Sequence, residues 1–476
     1  MPNQENYETM YIYNFCRFFL VALTLHAASA QEASPPALVP FEDGIRYAAL
    51  GDSITRNGLY HSYVHLFHAT RFPDRAIEFI NSGVSGDNAP GALTRLSWDL
   101  FPANPKFVSI MFGMNDVGST LYTPDQQSPD IEAQRKRQID LFERNLREIV
   151  KTLKDAGIRP FLLTPSIYDD TAAMDCPNNP SRNSGLGEAA ARVRGVAADF
   201  HLPLVDFHSP MLEINLRNQK EDPSFTLTSK DRVHPDAPGH FVMAYHFLKA
   251  QEVPGDVAKV SIQAADGTVT AASNCTVEDV HAGPDGVTFQ YLANALPFPV
   301  DEAAKPALAW VPFTEEMNRE TLGVSGLASG SYRLEIDGKL IRTFTSEELA
   351  KGVNLALETS TPQYQQALQV LELFKKRWGL VHRLRAIAFV EHGTCREMPR
   401  PLTLEQVQPK LEAWIASAQG KPYEGFYRAC GAAYLTDKPQ EKELASQIEQ
   451  LLPEIRSAAK PHPRSVAISK VGTKQN

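Results

Sequence analysis

A serine at the end of an apolar segment is the first residue of this sequence that could take part in covalent catalysis. Tyr47–Leu50 is apolar and is followed by Gly51, Asp52 and Ser53. This pattern is typical of a buried strand that enters a helix. It exposes the Ser53 hydroxyl and places the Ser53 amide near a helix N-terminus, where negative charge is favoured. Because Gly-Asp-Ser is also common in turns and helix N-caps, the segment alone assigns no chemistry.

Two polar loops follow the next strand-like segments. Ile77–Ile80 leads to a loop that contains Gly86, whose N–H can approach a ligand without hindrance from a Cβ. Phe107–Phe112 leads to Asn115, whose side-chain amide is a hydrogen-bond donor. In a parallel sheet the carboxyl ends of neighbouring strands meet at one edge, so these donors and Ser53 are expected close together.

A carboxylate and an imidazole stand three residues apart later in the chain. Asp231 and His234 lie in the segment Asp231–Pro235, shortly before an apolar helical segment. One turn of loop can place the carboxylate on the far ring nitrogen of the imidazole. That contact fixes the tautomer and stabilises the imidazolium, which is what a base that activates a hydroxyl requires.

The order and spacing of these four segments resemble the SGNH/GDSL hydrolase family, whose Ser, Gly, Asn and His lie in four blocks. The resemblance covers about residues 47–250 and does not extend to the chain after Pro254. Ile54 stands where the family name implies a leucine. The Gly-x-Ser-x-Gly motif of α/β-hydrolases is absent, which separates the chain from that class.

The resemblance implies a role for each of five residues. Ser53 would be the nucleophile, His234 its general base and Asp231 the residue that orients His234. The amides of Ser53 and Gly86 and the side chain of Asn115 would form the oxyanion hole. The implied reaction is ester hydrolysis through an acyl-serine, with no metal and no cofactor.

Four residues beside these blocks are candidates for a substrate pocket. The two arginines could bind a polar or anionic substrate group, and internal salt bridges are the alternative. The aspartate beside Gly86 could shape the pocket, and turn chemistry is the alternative. The four candidates are Asp52, Arg56, Asp87 and Arg232.

Apolar strands and amphipathic helices alternate over residues 44–252, the range of the predicted hydrolase domain. The clearest helix is expected from Pro129 to Ala156, with Ser128 as its N-cap and Gly157 as its stop. Such alternation favours a parallel sheet between helices, in the α/β class. The resemblance implies a three-layer flavodoxin-like sandwich. The five strands are expected at Arg46–Leu50, Ile77–Ile80, Phe107–Phe112, Phe161–Thr164 and Leu204–Asp206.

The pattern changes after Pro254. Residues 255–356 are predicted to be β-rich, with hairpin turns at Asp266-Gly267 and Asp337-Gly338. Residues 361–459 are predicted to be helical, and the polar tail 460–476 is predicted to be disordered. A basic cluster on the first of these helices is interpreted as a solvated face. Its members are Lys375, Lys376, Arg377, Arg383 and Arg385.

The N-terminus is typical of an export signal. A short apolar run over residues 18–25 is followed by Ala28-Ser29-Ala30, so residues 1–30 are predicted to be a signal peptide of a periplasmic or secreted protein. The run is too short to cross a membrane as a helix, so no stable membrane insertion is expected. The mature chain would keep four cysteines, either as thiols or in disulfides, with Cys395–Cys430 the favoured pair.

The charge balance bears on the class of partner. With 47 basic and 56 acidic side chains the net charge is −9, which disfavours nucleic acid as a partner. Export together with the resemblance favours an acetylated polysaccharide or oligosaccharide as the substrate. The alternatives are a lysophospholipase or thioesterase of the same family, and a non-catalytic glycan-binding envelope protein.

Overall fold

The structure is a computed structural model that describes residues 36–472 except 127 and 422. The predicted signal peptide, residues 1–30, lies outside the described residues. Among the helices in the described range, none combines the length and the apolarity needed to span a membrane.

A five-stranded parallel sheet forms the centre of the N-terminal half. Its strand order is β2-β1-β3-β4-β5, the flavodoxin-like order, in which the chain changes direction between β1 and β3. Gly51, the last residue of β1, pairs with Gly83 of β2 and with Met111 of β3, so three strands end at the same level. The strands are β1 (Arg46–Gly51), β2 (Glu78–Gly83), β3 (Phe107–Met111), β4 (Arg159–Leu163) and β5 (Leu204–Val205).

Among the residues that the structure describes, seven α-helices accompany this sheet. The longest begins after Ser128, whose side chain accepts the Ile131 N–H, and it ends before Gly157, which has a left-handed φ of 72°. The second helix packs against the seventh, and the fourth packs against the fifth. The helices are α1 (Ser53–Asn57), α2 (Leu59–Arg71), α3 (Ala89–Leu93), α4 (Pro129–Asp155), α5 (Arg182–Phe200), α6 (His208–Asn218) and α7 (Ala237–Ala250).

The predicted α/β fold class is therefore confirmed, and so are all five strands to within three residues at either end. The apolar stripe of α4 faces the core as the 3.6-residue period requires. Its members Ile139, Phe142, Leu146, Ile149, Val150 and Leu153 are all buried.

Two further sheets follow in the β-rich segment. One has the order β13-β10-β6-β7 and the other the order β12-β11-β14-β9-β8. Both predicted hairpin turns are present, with positive φ at Gly267, Asp337 and Gly338. The strands are β6 (Asp256–Gln263), β7 (Thr268–Ser273), β8 (Cys275–Gly283), β9 (Gly286–Ala293), β10 (Arg319–Ser325), β11 (Ser331–Ile336), β12 (Lys339–Thr345) and β13 (Val353–Asn354), with β14 (Arg464–Lys470) from the end of the chain.

The prediction of a disordered tail is wrong for Arg464–Lys470. This segment is β14, which pairs antiparallel with β9 on one side and with β11 on the other. Val466 and Ile468 alternate with more exposed neighbours and enter the core between the sheets. Such a short alternation is easily missed in a polar, basic segment, although two partner strands satisfy its backbone completely.

The other α-helices of the described residues lie in the β-rich and helical segments. The helix over residues 362–394, the first of the helical segment, packs against α2 and β2 of the hydrolase segment and shares its apolar core. The helices are α8 (Phe313–Met317) and α9 (Ser346–Lys351) within the β-rich segment, followed by α10 (Pro362–Thr394), α11 (Leu404–Ser417), α12 (Glu424–Asp437) and α13 (Glu441–Ala459). We keep residues 44–252, 255–356 and 361–459 as the proposed domain boundaries.

The interpretation of the basic cluster on α10 as a solvated face is wrong for two members. Arg377 donates to the Phe79 carbonyl at 2.6 Å, and Arg385 donates to the Gly83 carbonyl at 3.0 Å. Both guanidinium groups are buried against β2, because they satisfy carbonyl groups at the edge of the sheet. Helical periodicity does not distinguish a buried arginine that caps a sheet edge from an exposed one.

The favoured Cys395–Cys430 disulfide is also wrong. All four described cysteines are thiols. Cys395 and Cys430 are buried in one apolar cluster, in which they pack as small hydrophobic side chains.

Candidate active site

Ser53 is placed by a tight junction between β1 and α1. Asp52 is the N-cap of α1, and its carboxylate accepts the Ile54 N–H at 3.0 Å. A Cβ at Gly51 would lie 2.8 Å from the Met111 carbonyl, and a Cβ at Gly83 would lie 2.1 Å from the Arg56 nitrogen. Glycine at these positions therefore lets the end of β1 lie close to the Met111 carbonyl of β3 and lets α1 pack directly on the end of β2.

Ser53, His234 and Asp231 form one continuous line of hydrogen bonds. Ser53 Oγ is 2.7 Å from His234 Nε2, and His234 Nδ1 is 2.5 Å from Asp231 Oδ2. The other oxygen of Asp231 accepts the N–H groups of Val233 and His234, each at 2.9 Å. The structure therefore brings these three residues together, and their catalytic roles stay a prediction.

The charges of this line favour an ionised carboxylate beside a basic imidazole. Burial opposes ionisation of Asp231, but hydrogen bonds from His234 and two N–H groups hold its pKa below the usual value. Burial likewise disfavours the charged form of His234. The hydrogen bond and charge of Asp231 outweigh that effect and raise the pKa of His234. The imidazole is thus prepared to take up a proton from Ser53.

Gly86 and Asn115 lie at the same edge of the sheet. Gly86 has a left-handed φ of 72° that suits glycine, and it leaves the loop backbone open on its Cα side. Asn115 donates one N–H to the Asp87 carbonyl at 2.8 Å, so its second N–H is left for a ligand. The structure brings both predicted donors to neighbouring loops around Ser53.

Asp116, which was not among the residues predicted from the sequence, connects these two loops by hydrogen bonds. One carboxylate oxygen accepts the Ala89 N–H at 2.8 Å and the other accepts the Gly113 N–H at 2.9 Å. Burial raises the pKa of Asp116 to about 7, although both hydrogen bonds favour the charged form. Its place directly after Asn115 was the only signal in the sequence.

A buried ionic cluster lies beneath the Gly86 loop. Arg95 is fully buried and donates to Asp87 at 2.7 Å, to Asp99 at 2.5 Å and to the Gly51 carbonyl at 3.1 Å. It therefore connects the strand end before Ser53 to the loop that contains Gly86. The cluster holds the pKa of Asp99 well below its usual range, because Arg385 and Arg95 outweigh the effect of burial. A lone Arg or Asp in the sequence gives no signal of such a network.

Helix α10 reaches this cluster from the C-terminal part of the chain. Arg385 contacts both carboxylate oxygens of Asp99, at 2.6 and 3.0 Å, and His392 Nε2 lies 3.2 Å from Asp87. Trp378 and His382 both donate to the Asn57 carbonyl at the end of α1, each at 2.7 Å. The helical segment thus contacts the loop that contains Gly86 and the helix α1 that begins at Ser53.

The structure places the four candidates for the substrate pocket in different surroundings. Arg232 is not in a pocket, because its buried guanidinium donates to four backbone carbonyls in residues 169–177. The Asp87 carboxylate is likewise occupied, since Arg95 and His392 hold it below the loop, although the residue borders a cavity. The Asp52 carboxylate is buried as an N-cap, and burial raises its pKa to about 6. Arg56 lies beside Phe389, 6.0 Å from the ring centre.

The fold and the Ser-His-Asp line define an ester hydrolase of the SGNH type. Residues 49–241 match the GDSL-like lipase/acylhydrolase family, and the chain belongs to this family.

The chain is similar to two proteins in particular. The structure of a gut microbial diltiazem-metabolizing enzyme is 33% identical, with a TM-score of 0.81, over 91% of this chain and 99% of that chain. An acetylxylan esterase of Geobacillus stearothermophilus is 26% identical over 43% of this chain and 93% of its own length. The similarity to the diltiazem-metabolizing enzyme extends over the β-rich and helical segments as well as the hydrolase segment.

Proposed function

We propose that the protein is an exported serine esterase that removes O-acetyl groups from polysaccharide or oligosaccharide through an acyl-serine intermediate. The observation that carries the proposal is the Ser53–His234–Asp231 line, with contacts of 2.7 and 2.5 Å. The similarity to an acetylxylan esterase supports an acetylated carbohydrate as the substrate. The apolar run and the Ala28-Ser29-Ala30 motif support export.

The reaction begins when His234 Nε2 takes the proton of Ser53 Oγ while that oxygen attacks the ester carbonyl. Asp231 holds Nδ1–H and stabilises the imidazolium that forms. The negative oxygen of the tetrahedral intermediate accepts hydrogen bonds from the Ser53 and Gly86 amides and from the Asn115 side chain. His234 then donates its proton to the leaving alcohol, and a water activated by the same imidazole releases the acyl group.

The experiment compares p-nitrophenyl acetate, butyrate and palmitate and then acetylated xylan, with wild type, Ser53→Ala and a matched control, Ser331→Ala. Ser331 is exposed on β11 of the β-rich segment. We expect preference for acetate, a loss of roughly 10⁴-fold or more in kcat for Ser53→Ala, and wild-type rates for Ser331→Ala. Preference for palmitate contradicts the deacetylase proposal and favours the lysophospholipase or thioesterase alternative.

Diltiazem belongs in the same panel of substrates. The relative that covers nearly the whole chain is described as a diltiazem-metabolizing enzyme. If the proposed site also accepts small synthetic esters, turnover of this drug must disappear in Ser53→Ala together with that of acetate esters. Turnover that survives the substitution would show that a different site acts on the drug.

A further inference from the structure

A cavity beside Gly86 has one wall from the hydrolase segment and one from the helical segment. Its volume is about 190 Å³. The loop Ser85–Asn88 forms the first wall, and Phe389, His392, Gly393 and Arg396 form the second. Phe389, His392 and Gly393 are spaced i, i+3 and i+4 and share one face at the C-terminal end of α10, and Arg396 lies in the turn that follows the helix.

The position of the cavity follows from its border with Gly86. Under the proposed function the Gly86 amide binds the carbonyl oxygen of the ester. A group attached to that ester therefore lies within reach of this cavity. The cavity therefore suits part of the substrate other than the reacting carbonyl. The Phe389 ring offers an apolar surface to the flat side of a sugar ring.

The charge around this cavity is positive. Asp87 is neutralised by Arg95 at 2.7 Å, and Glu391 pairs with Arg400 and Lys438. Arg396 is exposed on the cavity wall, and its side-chain contact is with His392 Nε2 at 3.1 Å. Within residues 36–472 as described, no carboxylate pairs with Arg396, whereas Arg383 and Arg385 of α10 each have one.

A second arginine contributes to this charge. Arg56 lies one turn after Ser53 on α1, and its guanidinium carbon is 6.0 Å from the centre of the Phe389 ring. Its Nε is buried and has no hydrogen-bond partner among the described residues. Burial and the like charge of Arg385 on α10 lower the pKa of Arg56. A cation without a partner at such a site is favoured when a bound anion neutralises it.

We infer that this cavity binds the carboxylate of an acidic sugar, so that the enzyme prefers O-acetylated uronic acids to O-acetylated neutral sugars. This inference rests on the proposed function, since it specifies the alcohol part of the same ester. Arg396 is the principal recognition residue and Arg56 adds long-range attraction. The guanidinium group is suited to this task because its planar N–H fork matches a carboxylate.

The test uses two substrates that differ only at C6, methyl glucuronoside and methyl glucoside acetylated at the same hydroxyl. We expect the wild type to have a kcat/KM at least about tenfold higher for the glucuronoside at low salt, because a charge-assisted hydrogen bond contributes this much. In Arg396→Gln the ratio of the two kcat/KM values should fall to about twofold or less, because KM for the glucuronoside rises. Arg396→Lys should retain part of the preference. The control Arg428→Gln removes an exposed charge on α12 and keeps the preference.

Hydrolysis of p-nitrophenyl acetate separates failure of the inference from failure of the proposed function. This substrate has no carboxylate, so wild type and the control Arg428→Gln should hydrolyse it equally fast. If it is hydrolysed but the two sugars are turned over equally by wild type, or if Arg396→Gln keeps the preference, carboxylate recognition is contradicted. If wild type does not hydrolyse it at all, the esterase proposal fails as well.

Discussion

Arg385 of α10 donates to the carbonyl of Gly83, the last residue of β2, at 3.0 Å. The same guanidinium holds both oxygens of Asp99, and Asp99 in turn pairs with Arg95 beneath the Gly86 loop. The residues are 302 positions apart in the chain. The helical segment is therefore part of the structure that positions the predicted oxyanion hole.

The substitution Arg385→Gln tests this positioning role. We expect kcat for p-nitrophenyl acetate to fall about tenfold or more with little change in KM, because a displaced Gly86 loop weakens stabilisation of the transition state. The free energy of unfolding should also fall, by about 3–5 kcal/mol, since Asp99 is left buried without one of its cations. Steady-state kinetics and urea unfolding measure the two effects.

Arg383→Gln is the matched control on the same helix. Arg383 pairs with Asp437 and is more exposed than Arg385. Arg383→Gln also leaves a buried carboxylate, Asp437, without its cation, so stability should fall. Because Arg383 contacts Asp437 of α12 and not Asp99, kcat should change less than twofold. Equal losses in the two variants would mean that α10 affects activity only through general stability.

The side chain of Asn115 is expected to act in the transition state. Asn115→Ala removes one of three predicted oxyanion donors and should lower kcat about 10²–10³-fold with little change in KM. The measurement is steady-state hydrolysis of p-nitrophenyl acetate, with circular dichroism as the check on folding. Asn145→Ala, on the exposed side of α4, is the amide control and should keep wild-type kcat. A folded Asn115→Ala enzyme with unchanged kcat would remove this residue from the oxyanion hole.

The pH dependence of kcat/KM should report the pKa of His234. The neutral imidazole is the base, so activity falls as the pH decreases through that pKa, which Asp231 raises. Asp231→Asn removes the raising interaction and should move the inflection to lower pH, while kcat falls about 10⁴-fold. Rate profiles between pH 4 and 9 measure both effects. An inflection that stays at the wild-type pH would exclude Asp231 as the partner of His234.

The packing of β14 should contribute strongly to stability. Ile468 is buried between the two sheets, so Ile468→Ala should lower the free energy of unfolding by about 2–5 kcal/mol. Ser469→Ala, the exposed neighbour on the same strand, should change it by less than about 0.5 kcal/mol. Denaturant unfolding followed by circular dichroism compares the two variants. Similar, small changes in both would mean that the strand is not part of the folded core.

The fold of the hydrolase segment could be predicted from local patterns, because it depends on the periodicity of apolar residues and on the spacing of reactive side chains. Alternating strands and helices gave the fold class, and Asp231 with His234 signalled a carboxylate–imidazole pair from spacing alone. The partners of Arg95 and Arg385 were not predictable, because each contact joins residues that only the tertiary fold brings together. The strand β14 was not predicted for the same reason, because its partner strands lie far away in the chain.

Covalent labelling tests most directly whether Ser53 is the nucleophile. A p-nitrophenyl phosphonate ester should inactivate the enzyme and add one phosphonyl group, which mass spectrometry of the digested protein should locate on the peptide containing Ser53. Ser53→Ala should remain unlabelled and inactive. A label on another residue, or full esterase activity in Ser53→Ala, would contradict the account.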